Sequence, residues 1–136
     1  GEEENKLKKL IHNLKISNDV DLLGFEENPY KYLSKAECFI LSSLWEDPGF
    51  ALLEAAYLNI PIIASNCPNG PKEILQNGLG GFLFENNNQK QLIEAFDRFC
   101  QTSKIDLKIK KIKSKKSSKV FTKFDHFKNF QKIIEI

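Results

Sequence analysis

Two carboxylates stand out by their isolation. Glu46 closes the run Ser-Ser-Leu-Trp-Glu, and Glu54 follows eight residues later. From Gly49 to Pro68, Glu54 is the only charged residue. An ionised carboxylate only accepts hydrogen bonds, so it suits neutral donors such as hydroxyls. A vicinal diol presents two O–H groups to two carboxylate oxygens, as ribose does to acidic residues in dinucleotide folds. Between the two glutamates, Pro48-Gly49 opens a helical run. The first N–H groups of a helix lack intrahelical partners and bind phosphate well. Gly49 lets a ligand approach the backbone closely. Ribose at Glu54, diphosphate at the helix start and a hydroxyl-rich group at Glu46 describe a nucleotide-sugar. The spacing also fits a plainer reading: Glu54 faces solvent, and Glu46 is an acid favoured near a helix N-terminus.

The surrounding elements must place these groups. Glu2 to Leu14 predicts a helix, with Leu7, Leu10, Ile11 and Leu14 at helical spacing. Val20 to Leu23 predicts a short strand ending at Gly24. Asn28-Pro29 opens a short helix with Tyr32, Leu33 and Ala36 facing inward. Cys38 to Leu41 reads as a strand buried on both faces. Phe50–Leu58 reads as a helix, Ile60–Ala64 as a buried strand and Pro71–Leu75 as a short helix. Gly81–Phe84 reads as a strand and Gln89–Phe99 as a helix. This alternation predicts an α/β fold, a Rossmann-like parallel sheet with helices on both faces. Ligands of such sheets sit outside the carboxyl ends of the strands, where Glu46 falls.

The chain has 136 residues, 41% of them apolar and 28% charged, ordinary for one globular domain. Residues 1–103 are expected to form the Rossmann-like domain. Residues 104–136 are expected to form a Lys-rich helical segment, with Lys104–Ser118 either helical or partly frayed. It ends in an apolar helix with Val120, Phe124, Phe127, Phe130 and Ile134 in a stripe. No run of about 18 apolar residues predicts a transmembrane helix. The first ten residues, GEEENKLKKL, do not read as a signal peptide. The chain opens on Gly1, so further sequence is expected upstream. Three widely spaced cysteines and two histidines offer no zinc spacing. Reduced cysteines in a cytoplasmic protein are the expectation. Net charge is +2, so no nucleic-acid partner is expected. Lys104 to Lys123 holds nine lysines and one acid, Asp106. That stretch suits an anionic membrane surface at the inner face, or is a solvated helix face.

The stretch Glu46 to Pro61, E-D-P-G-F-A-L-L-E-A-A-Y-L-N-I-P, resembles the Glu-x7-Glu signature of the glycosyl transferases group 1 family. The likeness extends to "GEEENKLKKLIHNLKISNDVDLLGF", "NPYKYLSKAECFILSS" and "PNGPKEILQNGLGGFLF", covering Gly1 to Phe99. It implies the C-terminal, donor-binding lobe of a GT-B fold and a retaining glycosyltransferase. Such an enzyme moves a sugar from a UDP- or GDP-sugar to a cell-surface glycan or lipid-linked acceptor. It implies a hexosyltransferase with no cofactor and no metal. Glu46 would be the catalytic residue and contact the donor sugar. Gly49, Phe50 and Ala51 would border the diphosphate and sugar, and Glu54 would take the ribose. Gly24, Phe25 and Glu26 would line the base.

Asp47 and Pro48 replace the Gly and Phe usual in the family, and Pro48 lacks an N–H to give a phosphate. Asn59 replaces a Gly, which is mild because Asn tolerates the left-handed conformation. The family's basic diphosphate clamp and its acceptor lobe are expected upstream of Gly1. This chain alone is therefore expected to bind donor weakly and not to turn it over. The competing class is a non-catalytic GT-B-like module that binds a nucleotide or a partner. Trp45 either walls the pocket or, as expected, packs into the core. His12 is expected to be solvated and Cys67 incidental.

Overall fold

The structure, a computed structural model, describes residues 1–134. It divides into two compact units, Gly1–Tyr30 and Lys31–Ile136. In the smaller unit, helix α1 spans Glu4–Asn13. Lys8 Nζ lies 2.7 Å from Glu4 Oε1, an i,i+4 pair. The Lys8 ammonium holds the Glu4 carboxyl below its usual value. Val20 to Leu23 is irregular and not a strand. That expectation is corrected for a physical reason: a strand exists only through a ladder with a partner, and apolar alternation cannot supply one.

The larger unit carries a parallel sheet of three strands in the order β1-β2-β3. They are β1 (Phe39–Leu41), β2 (Ile62–Ser65) and β3 (Phe82–Phe84). Phe39 pairs with Ile62, and Ile63 pairs with Phe82. β2 is central and every residue in it is buried. Alternate side chains of a strand face opposite sides, so β2 seeds two cores. Ile62 and Ala64 join Leu52, Ala55, Ala56, Ile74 and Leu75 on one side. Ile63 joins Phe82, Phe84 and Ala95 on the other. Full burial of Ile62 and Ile63 contributes about 1.5–3 kcal/mol each.

Helices cover both faces. The first core takes α3 (Phe50–Tyr57) and α4 (Pro71–Ile74), with Leu33 of α2 (Tyr30–Leu33) packed against it. The second takes α5 (Gln89–Gln101) and Leu107 of α6 (Lys104–Ser118). Two burial expectations are corrected. Ile40 is 45% exposed because β1 is an edge strand here, so one face of its apolar run stays open. Tyr32 is exposed, while Leu33 and Ala36 do pack inward.

α3 stops where Asn59 turns to φ 65°. There Asn59 N–H donates to Ala56 O and Ile60 N–H to Ala55 O, capping the last carbonyls. α6 is helical throughout, capped by Ser103, whose Oγ accepts from Asp106 N–H. It lies close on Gly80, where a Cβ would come within 3.0 Å of the Ser114 nitrogen. Lys110 turns inward, donating to Gly78 O at 2.8 Å and Gly81 O at 3.1 Å, with its ammonium over the Phe82 ring. A 3-10 turn (Lys119–Phe121) leads to α7 (Lys123–Ile134), whose Phe124, Phe127, Phe130 and Ile134 stripe is exposed.

Candidate functional site

The loop from β1 to α3 lies at the carboxyl edge of the sheet, and later strands hold it there. Ser65, at the buried end of β2, donates its hydroxyl to Ser43 O at 2.6 Å. Beyond β3, Asn86 Nδ2 donates to Leu44 O at 2.8 Å. Glu46 N–H donates to Pro68 O at 3.3 Å. Gly70, at φ 127°, presses against the Pro48 carbonyl. These four contacts fix a loop whose own sequence is short of regular hydrogen bonding.

Within that loop the carboxylate and the helix start come together. Gly49 is the buried N-cap of α3, with φ 86°. A Cβ on Gly49 would lie 3.3 Å from Glu46 Oε2, so the half-buried Glu46 side chain folds back over the glycine. No side chain caps α3. Gly49 O accepts from Leu52 and Leu53 N–H, which starts the helix. The N–H groups of Phe50 and Ala51 precede the first intrahelical bond and carry the positive end of the helix dipole. Pro48 contributes no N–H, as expected from its type. The Asp47–Pro48 bond is cis.

α3 buries Leu52, Leu53, Ala55 and Ala56. Phe50, Ala51, Glu54 and Tyr57 share its opposite side, with Phe50 and Ala51 exposed and Glu54 half-buried. Glu54 thus sits one turn beyond the open N–H groups and on their side, not inside the core. Trp45 is 58% exposed, which corrects the expectation of core packing. Its loop runs along the rim of the sheet, where no layer covers it. A cleft of about 300 Å3 adjoins the α3 start, lined by Pro48, Phe50, Leu53, Phe121, Lys123 and His126.

Gly24, Phe25 and Glu26 belong to the N-terminal unit. Gly24 has φ 67° and open space where a Cβ would stand. Phe25 is 92% exposed, and Glu26 is half-buried. His12 is exposed, and Cys67 is buried after β2. None of the three cysteines is in a disulfide. Among the described residues no group of three or more His, Cys, Asp or Glu side chains is placed to hold a metal ion. No helix among them is long and apolar enough to cross a membrane.

Sequence reasoning missed Ser65, Gly70 and Asn86, the residues that hold the loop. Asn86 also buries an Oδ1 with no hydrogen-bond partner. Its signal was present: one residue after β3 come three asparagines, at the edge where ligands of parallel sheets sit. Lys123 and His126 were likewise missed, because only the chain's return places them beside the α3 start.

A parallel sheet with helices on both faces, and an open helix start over its carboxyl edge, define an α/β lobe of the C-terminal GT-B type. The comparisons with known proteins agree. The family model "Glycosyl transferases group 1" matches residues 1–116, and the chain belongs to that family. An uncharacterised glycosyltransferase of Methanocaldococcus jannaschii is 48% identical over 75 residues, 55% of this chain and 18% of that protein. The N-acetylgalactosamine-N,N'-diacetylbacillosaminyl-diphospho-undecaprenol 4-alpha-N-acetylgalactosaminyltransferase of Campylobacter jejuni is 29% identical over 120 residues, 88% of this chain and 33% of that protein. The crystal structure of Anabaena HepE in complex with UDP superposes with a TM-score of 0.82 at 20% identity, over 98% of this chain and 37% of that one. The chain therefore spans a third or less of these two curated relatives, and HepE bears on the fold alone.

Proposed function

We propose that this chain is the donor-binding lobe of a retaining glycosyltransferase of the hexosyltransferase type, using a UDP- or GDP-sugar. The observation that carries the reading is the Glu46 carboxylate folded over Gly49, beside the uncapped first turn of α3. In this reading Glu46 accepts hydrogen bonds from donor-sugar hydroxyls and is the catalytic residue. Phe50 and Ala51 N–H groups face the diphosphate across the bare Gly49 backbone, and Glu54 takes the ribose diol. Gly24, Phe25 and Glu26 keep, as part of the proposal, the base-lining role that the resemblance gives them.

In the full-length enzyme the bond between the anomeric carbon and the diphosphate oxygen breaks. A new bond forms to an acceptor hydroxyl, whose proton leaves, and the nucleoside diphosphate departs. The charge growing on the leaving diphosphate is what an oriented helix start stabilises. The reading uses no metal. Its acceptor, a glycan or lipid-linked sugar, is supported by the relatives' names, one of which includes diphospho-undecaprenol.

The test is titration with UDP, GDP and ADP while following amide shifts. One nucleotide should move Gly49 to Glu54, and Glu54→Ala should abolish the response. In the full-length protein, Glu46→Ala should remove most turnover with the fold intact. If a chain extended upstream shows no shift with any nucleotide, the reading is wrong.

A further inference from the structure

α6 buries the wrong residues for an ordinary amphipathic helix. Its inward side carries Ser114 and Ser118, both buried, whose hydroxyls donate back to Lys111 O and Lys115 O at 3.0 Å. The helix backbone lies close on Gly80 here: a Cβ on that glycine would come within 3.0 Å of the Ser114 nitrogen and 3.2 Å of its Cβ. The isoleucines go to the outside. Ile105, Ile109 and Ile112 are 74%, 47% and 43% exposed. Their i, i+4, i+7 spacing sets them in one row about 10 Å long, at 1.5 Å per residue. Lys116 continues the same row one turn on, and Lys104 and Lys108 flank it, all exposed. The one acid of the helix, Asp106, is engaged at the N-cap, accepting from Ser103 Oγ at 2.7 Å.

We propose that this outer face of α6 docks the chain on an anionic lipid surface. Three branched apolar side chains in a row enter the boundary between headgroups and acyl chains. The lysines beside them extend their stems along the boundary and leave their ammonium groups among lipid phosphates. The charge decides the occupant. A row of isoleucines edged by exposed lysines, with its single carboxylate turned into a cap, complements a negatively charged surface of indefinite shape. Each lysine near such a surface raises partitioning by about fivefold. This site is separate from the donor site and does not depend on it.

The whole chain is tested by flotation with vesicles of phosphatidylcholine, alone or mixed with phosphatidylglycerol. The expected result is binding to the mixed vesicles only, weakened by added salt. Neutralising Lys104, Lys108 and Lys116 together to Gln should lower binding about 100-fold. Ile109→Asp with Ile112→Asp should abolish it while circular dichroism shows the helix content retained, since both side chains are about half exposed and outside the core. A bimane label on Ile109→Cys, in a chain with Cys100→Ser, should shift to the blue on mixed vesicles. The proposal is overturned if the wild-type chain does not float with them. It is equally overturned if the aspartate variant floats as well as wild type, or if neutral vesicles bind as tightly. Self-association abolished by the same aspartates would make the row a protein interface and overturn it too.

Discussion

Gly70→Ala should damage the site from outside it. Gly70 sits at φ 127°, a conformation that costs an L residue about 1–3 kcal/mol. The added Cβ would also run into the Pro48 carbonyl, with the Pro48 carbon at 3.1 Å. Both neighbours are backbone, so no side chain can swing aside, and the loop itself must move at an overpacking cost of about 1–3 kcal/mol. The sum is about 2–4 kcal/mol at its lower half. At about 4 °C per kcal/mol for a chain of this size, Tm should fall by about 8–16 °C. Gly78→Ala separates the two costs. Gly78 has φ 91° but nothing within 4 Å of a Cβ, so only the backbone term of about 1–2 kcal/mol applies. Thermal melts of both variants, followed by nucleotide titration, provide the assay. Gly70→Ala should melt lower and bind donor more weakly, because the displaced Pro48 adjoins Gly49 and Glu46. If the two variants melt together and bind alike, the close approach of Gly70 to Pro48 does not hold the loop.

Lys110→Met should lower Tm, because it strands the carbonyls of Gly78 and Gly81 at a cost of about 1–3 kcal/mol. Burial holds the Lys110 ammonium below its ordinary 10.5. The unfolded chain therefore binds more protons just below that pH, this group makes stability rise with pH there, and alkaline melts of the Met variant should lack that rise. Burial pushes the Cys38 thiol up to about 11 from an ordinary 9.0, leaving about 100-fold less thiolate at neutral pH. Iodoacetamide followed by peptide mass spectrometry should then label exposed Cys100 long before Cys38. Ser65→Ala removes the hydroxyl held to Ser43 O and should cost about 1–2 kcal/mol, with faster amide exchange across residues 43–50 as the readout.

The elements around β2 were legible because their patterns are local. The apolar run at 60–64 and the Ala-rich helix at 50–58 each satisfy one period, and the structure keeps both within two residues. The juxtaposition of Glu46 with the helix start was legible for the same reason, since only Asp47 and Pro48 separate Glu46 from Gly49. Val20 to Leu23 failed because pairing is a property of two segments. Ile40 failed because an apolar run does not say whether its strand lies at an edge. The reversed face of α6 was hidden for a third reason. Its lysine-rich sequence shows the isoleucines, but not that the Ser114 side of the helix lies close on Gly80, a residue on a distant turn.

The deeper gap lies in the loop itself. Strands stand about 4.8 Å apart in the hydrogen-bonding direction, so β3 lies roughly 10 Å from β1. Asn86, which follows β3, nevertheless reaches Leu44, which follows β1. The loop must therefore run sideways across the end of β2, and its contacts with Ser65 and Pro68 trace that path. Parallel pairing makes this possible, since it brings all three carboxyl ends to one edge. Partners 22 and 42 residues downstream thus set where Glu46 and the α3 start sit. A motif spanning residues 46–54 carries the groups that would touch a ligand. The strand order β1-β2-β3 carries their positions, and an Asn86→Ala change, which removes the hydrogen bond to Leu44 O, should loosen the site.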